Sequence, residues 1–146
     1  MRYITFLLIF LVSSCSKLYK DATKNQKELI ISLEKTACFG TCPVYKIKIY
    51  NSGKATYEGL RHVKKTGLHY LTISESEKNK ILIKAKKIGF NNMKKEYTER
   101  ITDLPTTYIT IRKKMIKDYY GAPTELKELE SNIEELFLNK LGVNSF

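Results

Sequence analysis

Two cysteines four positions apart are the residues in this chain best suited to chemistry. Cys38 and Cys42 lie in the stretch "CFGTCPVYK", and Pro43 follows directly. The pair could act as a redox dithiol, supply half of a metal site, or close a small covalent loop. Redox dithiols commonly use a C-x-x-C spacing, with the attacking thiol at the N-terminus of a helix. The C-x-x-x-C spacing departs from that pattern, and Pro43 favours extended backbone at Cys42, so a redox site is not the favoured interpretation.

A metal site would need further ligands for the two cysteines. Structural zinc takes four ligands, and the chain offers only His62 and His69 besides. An odd spacing of seven positions puts these two on opposite faces if they belong to one strand. We therefore predict no metal and no other cofactor, and we favour a disulfide between Cys38 and Cys42. Closing so short a loop stabilises a fold by about 2 kcal/mol in the chain-entropy model, and we expect Gly40 to permit the turn.

The N-terminal segment indicates the compartment in which such a disulfide would form. Arg2 precedes a mostly apolar run from Ile4 to Val12, which is shorter than the roughly 20 residues that span a bilayer and is typical of a secretory signal. "VSSC" resembles a bacterial lipobox, which implies cleavage before Cys15 and attachment of lipid, such as palmitate, to it. We predict a signal peptide at 1–14, and a lipidated Cys15 with a flexible tether over 15–26. An ordinary cleaved signal with a chance cysteine is the alternative.

This N-terminus implies a bacterial cell envelope protein anchored to a membrane through lipid, at the outer membrane or facing the periplasm. Disulfides form and persist in such a compartment. Lipidation of Cys15 leaves Cys38 and Cys42 as the remaining cysteines of the three in the chain, an even pair.

The strongly basic composition has two interpretations. The net charge is +11, and the removal of residues 1–14 deletes only Arg2, which leaves 25 basic and 15 acidic side chains, or +10. The excess is nearly all lysine, with 22 Lys against 4 Arg, and lysine lacks the planar fork with which arginine grips phosphate. Export argues against a nucleic-acid partner. A solvated surface is the favoured interpretation, and a Lys-rich face that binds anionic glycan or lipid is the alternative.

Four carboxylates could take part in acid–base chemistry. Asp103 in "TDLP" and Asp118 in "KDYY" are the better candidates, ahead of Glu58 and Glu96. No pair of them has a diagnostic spacing, and the geometry of a catalytic pair is set in three dimensions. Asp103 is more simply a turn residue that bonds its own backbone ahead of Pro105. Motifs such as G-x-S-x-G, the Walker loop and H-E-x-x-H are absent from the sequence, so we predict no catalytic residue.

Alternation of apolar and polar residues predicts the strands that must position these side chains. "ELIISLEKT" and "VYKIKIY" each alternate, and Tyr45, Ile47 and Ile49 share one face of the second segment. "NSG" at 51–53 has turn chemistry, and "KATYEGL" returns as the partner strand of a hairpin. A further strand is expected at Gly67–Ile73.

The remaining elements complete a mixed fold. "SESE" at 74–77 is a capping box that begins a helix to about Ile88, and the segment 90–106 is expected to be a loop. Two strands follow around Lys113–Lys114, and a second helix runs to about Leu141 with apolar residues at helical spacing. The order β-β-β-β-α-β-β-α predicts an α+β domain over 27–142, an antiparallel sheet of about five to six strands with two helices packed on one face.

The stretch "CFGTCPVYKIKIYNSGKATYEG" resembles the start of an uncharacterised bacterial domain family, a domain of unknown function. Its signature is C-F-G-x-C-P-x-Y, a strand, a polar turn with glycine, and a strand that ends in Y-x-G. "TDLP" at 102–105 and "YYGAP" before the last helix resemble its later landmarks, so the resemblance covers about residues 28–140. It implies an exported protein, often a lipoprotein, and it brings no established activity. The matching residues are Cys38, Phe39, Gly40, Cys42, Pro43, Tyr45, Gly53, Tyr57 and Gly59.

These observations favour a lipid-anchored envelope protein whose domain is a non-catalytic binding or structural module. The candidate binding residues are Phe39 and Thr41, on the outer surface of the cysteine loop, and Asp103. The partners expected are the membrane, through the lipid anchor, and an envelope protein or an anionic glycan or lipid. One alternative is an envelope enzyme or thiol-redox helper that uses Cys38 and Cys42. The other is a binder of anionic glycan or lipid through the Lys-rich face.

Overall fold

The structure, a computed structural model, describes residues 27–146, so the predictions for the signal peptide at 1–14, for Cys15 and for the tether up to residue 26 lie outside the described residues. The described residues form seven strands, two helices and one 3-10 turn. In chain order these are β1 Leu29–Lys35, β2 Val44–Tyr50, β3 Lys54–Arg61, β4 Gly67–Thr72, α1 Glu75–Lys87, the 3-10 turn Phe90–Asn92, β5 Glu96–Tyr97, β6 Thr107–Ile111, β7 Lys114–Asp118 and α2 Thr124–Leu141.

All seven strands belong to one sheet, in the order β4-β3-β2-β1-β6-β7-β5. Every neighbouring pair is antiparallel except β5 and β7, which are parallel. The predicted α+β class and the two helices are therefore confirmed, whereas the predicted count of five to six strands is too low. The additional strand, β5, lies in the segment predicted to be a loop. It has only two residues, too few to show an alternating pattern.

The core fills the space between one face of the sheet and the two helices. The predicted inward face of β2 is confirmed, because Tyr45, Ile47 and Ile49 are all buried. The other inner strands contribute the same alternating positions, and the helices contribute residues at helical spacing. From α1 and α2 the buried apolar side chains are Ile81, Ala85, Leu126, Leu129, Ile133 and Phe137.

Two glycines allow the backbone to approach itself closely around β3. Gly53, in the turn between β2 and β3, has a φ of +80°, and a Cβ there would lie 2.6 Å from the carbonyl oxygen of Ile73. At Gly59 a Cβ would lie 1.9 Å from the carbonyl oxygen of Lys65. The predicted hairpin is thus confirmed. Gly53 is required by the turn and by a close contact, and Gly59, within β3, by a close contact alone.

The two helices begin differently. Ser74 and Glu77 form the predicted capping box, in which the Ser74 hydroxyl accepts from the Glu77 N–H at 3.2 Å and the Glu77 carboxylate accepts from the Ser74 N–H at 2.8 Å. By contrast, α2 begins after Pro123 without a side-chain cap. Within residues 27–146, no helix has the length and apolar character needed to cross a membrane.

The last residue of the chain packs against the core. The ring of Phe146 stacks on Tyr45 and Tyr57, with centroid distances of 4.1 and 5.4 Å. Burial raises the pKa of Tyr57 to about 12. The chain beyond residue 142, where the sequence analysis ends the domain, therefore still contributes packing.

Candidate functional site

One row of side chains at the end of the sheet is polar, although it faces the core. Lys35 of β1 pairs with Tyr45 of β2 on one side and with Thr107 of β6 on the other, and Thr107 pairs with Asp118 of β7. We call these four residues the polar row. The next helix-facing row is apolar, since it consists of Leu33, Ile47, Ile109 and Ile116. The inner surface of the sheet thus changes from apolar to polar over two residues along each of these four strands.

Helix α2 covers the polar row with two carboxylates. Glu130 and Glu134 are one helical turn apart and lie on the same face of the helix. Glu134 Oε1 accepts a hydrogen bond from Lys35 Nζ at 2.9 Å and another from the hydroxyl of Tyr45. Burial, and then the charge of Glu134, raise the pKa of Tyr45 far above its ordinary value. Tyr45 therefore remains a hydrogen-bond donor that holds Glu134 in place.

The second carboxylate of the helix lies beside the buried carboxylate of the polar row. Glu130 is 6% exposed and Asp118 is 1% exposed. Lys127 forms an ion pair with Oδ2 of Asp118. Among the described residues, nothing donates a hydrogen bond to Oδ1 of Asp118 or to Oε1 of Glu130. Buried polar atoms are normally paired, so these two oxygens are exceptions, as is the buried hydroxyl of Tyr57.

A proton retained by Glu130 explains how two carboxylates can stay buried together. Burial raises the pKa of Glu130 above its ordinary range, and the charge of Asp118 and a hydrogen bond with it raise that pKa further, while Lys127 opposes the rise. Two adjacent carboxylates resist full ionisation, because like charges repel where little water screens them. Glu130 thus holds its proton well above the pH at which an exposed carboxyl group loses it.

A cavity of about 460 Å³ opens over the polar row and is referred to below as the carboxylate cavity. Its size is within the range of small-molecule sites. The charged side chains of its lining are Lys35, Lys127, Glu130 and Glu134, and its apolar and aromatic wall consists of Leu104, Pro105, Tyr119 and Tyr120.

The charged side chains that line the cavity differ in burial. Those of Lys35, Lys127 and Glu134 are 28%, 50% and 21% exposed, whereas Glu130 is 6% exposed. Glu130 is therefore the most buried charged residue of the lining, and Asp118, whose side chain is not exposed, is not part of the lining. Because charges interact more strongly away from water, the part of the cavity beside Glu130 favours hydrogen-bond donors and positive charge.

The three sequence landmarks meet at this cavity. The cysteine segment contributes Tyr45 to the polar row, "TDLP" contributes part of the apolar wall, and "YYGAP" contributes the two tyrosines of that wall. Thr36 and Thr106 hold the first two segments together, since the N–H of Thr36 donates to the carbonyl oxygen of Thr106 and the N–H of Thr106 donates to the hydroxyl of Thr36, both at 3.0 Å. Segments distant in sequence thus build one end of the sheet.

The cysteine loop lies at the same end of the sheet and is closed by the predicted disulfide. Cys38 and Cys42 are bonded, with their Cα atoms 5.7 Å apart. Phe39 is 91% exposed at the tip, and Thr41 is also exposed. The turn does not depend on glycine as the sequence analysis expected, because the φ of Gly40 is outside the left-handed range and a Cβ there would come no closer than 4.0 Å to Cys38 Sγ.

The predicted carboxylates are separated in the structure. Asp103 is exposed, with a φ of 73°, and is not part of the lining of the carboxylate cavity. Glu58 points away from the core on β3, and Glu96 pairs with Lys117 at 2.7 Å. Of the four, only Asp118 belongs to the site.

Sequence analysis missed the four charged residues of the cavity lining and one residue of the polar row, namely Lys35, Lys127, Glu130, Glu134 and Thr107. A signal for one of them was available. Glu130 follows Leu126 by four positions and precedes Ile133 by three, so it lies on the apolar stripe of α2. A carboxylate in that register is a candidate for a buried functional group.

The cavity does not have the composition of a metal centre. Within residues 27–146, no group of three or more His, Cys, Asp and Glu side chains is placed to hold a metal ion. His69 lies on β4 with its Nε2 2.9 Å from the carbonyl oxygen of Thr66, and His62 lies in the turn after β3.

Comparison with protein families identifies the domain. The family model of a domain of unknown function, DUF6438, matches residues 29–137. No curated protein matches the chain. The matched region extends from β1 into α2, so it contains the polar row, the cysteine loop and both carboxylates of the helix.

Proposed function

The chain belongs to the DUF6438 family of domains of unknown function, and from this premise we propose that the protein is a lipid-anchored binding module of a bacterial cell envelope. In this proposal Cys15 carries the lipid, residues 16–26 form the tether and the carboxylate cavity receives the ligand. One observation carries the binding role: a cavity of about 460 Å³ is lined by Glu130, a buried carboxylate whose Oε1 lacks a donor among the described residues. Buried acceptors without partners are costly to a fold, and a ligand that supplies donors offsets that cost.

The position of the cavity supports an anchored role. The tether would join the domain ahead of Leu29, at one end of β1, and the cavity lies beside Lys35, at the other end. Six residue steps along a strand correspond to roughly 20 Å. A domain held at its N-terminal end therefore keeps the opening of the cavity away from its point of attachment.

The anchoring part is tested by chemistry at Cys15. We expect the full chain, produced in a bacterial host with lipoprotein processing, to enter the detergent phase, and its N-terminal peptide to carry an acylated Cys15. The Cys15→Ala variant should remain in the aqueous phase or keep its signal peptide. An unmodified Cys15, or cleavage at another position, would contradict lipid anchoring.

The binding part is tested with envelope components. We would titrate the isotope-labelled full chain in detergent with peptidoglycan fragments, lipopolysaccharide and phospholipid, and follow amide shifts by NMR. Binding to the cavity should shift amides beside Thr107 and Glu130, and Glu134→Gln should weaken it, whereas Glu135→Gln on the exposed side of the same helix should not. Turnover of any component that Asp118→Asn abolishes would show an enzyme instead.

A groove next to α1 favours a second candidate function, the binding of an anionic glycan or lipid. This groove has a volume of about 940 Å³ and is lined in part by Lys80, Lys84 and Lys87. Lys84 already pairs with Glu128 at 3.1 Å. Binding of phosphatidylglycerol vesicles should then fall steeply with salt, because ions screen exposed charges. A Lys80→Gln, Lys87→Gln double variant should abolish it, and salt-independent binding would reject this candidate.

A thiol-redox helper is the alternative suggested by the exposed disulfide loop. It requires Cys38 and Cys42 to cycle between disulfide and thiol in the envelope. Alkylation of living cells followed by mass spectrometry distinguishes the two roles. Two sulfurs that stay blocked before reduction under all growth conditions would exclude the redox role.

A further inference from the structure

We propose that the carboxylate cavity binds the ammonium group of a primary amine with an apolar carbon skeleton, and that this ammonium pairs with Glu130. The inference rests on the proposed binding role of the cavity and names the chemical class of its ligand. It is carried by the buried carboxylate of Glu130 in the cavity lining, by the ammonium group of Lys127 that already pairs with the neighbouring Asp118, and by the apolar wall of the cavity.

The buried part of the cavity lining lacks a hydrogen-bond donor for one of its carboxylates. Glu130 lines the cavity and is 6% exposed, and its Oε1 accepts no hydrogen bond from residues 27–146. Glu134, by contrast, already accepts from Lys35 and Tyr45. An ammonium group has three N–H donors and a positive charge, so it would supply the donor that Glu130 lacks. An anion or a hydrogen-bond acceptor placed there would lie against carboxylate oxygens, which are also acceptors, and would gain no hydrogen bond from them.

Lys127 shows that an ammonium group fits against Asp118. Its Nζ reaches Oδ2 of Asp118 from the rim of the cavity, while half of its side chain remains exposed. The arrangement leaves the other oxygen of Asp118 and that of Glu130 unoccupied. A ligand amine would therefore either join Lys127 at this carboxylate pair or replace it.

The wall of the cavity selects what is attached to the amine. Leu104, Pro105, Tyr119 and Tyr120 line one side. Leu104 and Tyr120 are both more than one-third exposed, so a ligand would cover apolar surface that water now contacts. Such burial is favourable in proportion to the apolar area removed from water. An amine on an aliphatic or aromatic skeleton matches both surfaces.

Amine binding is coupled to the loss of a proton. Glu130 faces Asp118 from β7, Lys127 and Glu134 from its own helix, and Lys35 and Tyr45 from β1 and β2. In the free protein Glu130 holds a proton, as its raised pKa indicates. An ammonium beside Glu130 stabilises its ionised form. The proton of Glu130 then passes to the buffer, and a carboxylate–ammonium pair takes the place of the neutral carboxyl group.

Phenethylamine and its neutral analogue 2-phenylethanol test the inference on the full chain in detergent. We expect the amine to bind at least tenfold more tightly than the alcohol, because a charge-assisted hydrogen bond is worth roughly ten- to a hundredfold in affinity. Calorimetry at pH 6 in two buffers with different ionisation enthalpies should detect proton release with the amine and none with the alcohol. Equal affinities, or amine binding without proton release, would overturn the inference.

Two variants change the affinity in opposite directions. Glu130→Gln keeps the shape of a protonated Glu130 but cannot ionise, so it should lower amine affinity to that of the alcohol and abolish proton release. Lys127→Gln removes the competing ammonium and should raise amine affinity several-fold. Glu135→Gln, on the exposed side of α2, is the control and should change nothing. Unaltered binding by Glu130→Gln, with folding verified by circular dichroism, contradicts the proposed pair.

A third probe separates this inference from the proposed function. Phenylacetate has the same ring and a negative charge. If it shifts the amides of the cavity by NMR and phenethylamine does not, the cavity is a binding site and the amine class is wrong. If neither probe nor any envelope component shifts those amides, the binding role itself is wrong.

Discussion

Each of the two helices within residues 27–146 buries one charged side chain, and the two side chains differ in their hydrogen bonding. Lys78 of α1 is 4% exposed, and its ammonium donates to the carbonyl oxygen of Asn51 at 2.5 Å and to Glu75 at 2.6 Å. Glu130 of α2 is nearly as buried, yet Oε1 accepts no hydrogen bond within the described chain. Similar burial thus accompanies a fully paired charge in one helix and an incompletely paired one in the other.

The difference separates a structural role from a functional one. Lys78 ties the first turn of α1 to the turn that follows β2, so its charge contributes to the fold. Glu130 contributes little of this kind and leaves an acceptor facing a cavity. Buried groups without partners are rare in folded proteins and call for an explanation. A bound ligand would explain the unpaired oxygen of Glu130, whereas the paired charge of Lys78 needs no further explanation.

The largest effect is expected at Lys78. Replacement by Ala removes two hydrogen bonds of a buried cation, each of a kind worth about 1.5–3 kcal/mol. We expect Lys78→Ala to lower the free energy of unfolding by about 2–3 kcal/mol in urea titrations. Lys80→Ala, exposed on the same helix, should stay within about 0.5 kcal/mol of the wild type. A loss as small as that of the control would mean that Lys78 is not structural.

A second test concerns Glu130 and depends on pH. Its pKa is higher in the folded protein than the ordinary value of 4.5, so above pH 4.5 the folded state retains a proton that the unfolded chain has lost. Its contribution to stability is complete below pH 4.5 and declines as pH rises. Relative to the wild type, Glu130→Gln should therefore gain about 2 kcal/mol between pH 5 and 7. Parallel stability curves for the two proteins would contradict a retained proton.

Tyr45 tests whether the polar row is held rigidly. Tyr45→Phe removes the hydroxyl that donates to Glu134 and leaves the ring in its stack with Phe146. We expect a loss of about 1–1.5 kcal/mol in the free energy of unfolding, together with weaker phenethylamine binding. Tyr108→Phe, on the opposite face of the sheet, serves as the control. No change in stability would show that Lys35 alone holds Glu134.

The smallest effect is expected at the start of α1. Ser74→Ala removes one half of the capping box and should cost about 0.5–1 kcal/mol at pH 7. The backbone N–H of Ser74, then Lys140 and the Ser74 hydroxyl, lower the pKa of Glu77 to about 2. The share of this contribution that comes from the Ser74 hydroxyl is present above pH 4.5 and is lost as pH falls toward 2. Thermal unfolding should therefore show a smaller difference between the two proteins in acid. A constant difference down to pH 2 would exclude Glu77 from the effect.

The sequence was informative where structure depends on near neighbours. Alternation in "VYKIKIY" predicted the buried face of β2, and the spacing of Ser74 and Glu77 predicted the start of α1. The strand β5 escaped because two residues carry no periodicity, and it is fixed instead by backbone bonds to β7, such as that from the N–H of Lys117 to Lys95 at 2.9 Å.

The site could not be assembled in the same way. The polar row depends on the register of four strands, and the register joins Lys35 to Thr107 and Asp118 across more than 70 residues. Nothing local to any of these residues indicates the others. Asp118 could be named as a candidate carboxylate, but its partner Glu130 was identifiable only by its place on the apolar stripe of α2.

The central position of β1 also has a mechanical consequence. It is the first strand of the described chain, and it pairs with β2 at six positions and with β6 at five. A pull on its N-terminal end is directed along the strand, across hydrogen bonds that run nearly perpendicular to it. Both ladders are then loaded in shear, so their bonds must break together and not one after another. A ligand held beside Lys35 would place tension on the same strand from its other end, which makes β1 the force-bearing element of the domain.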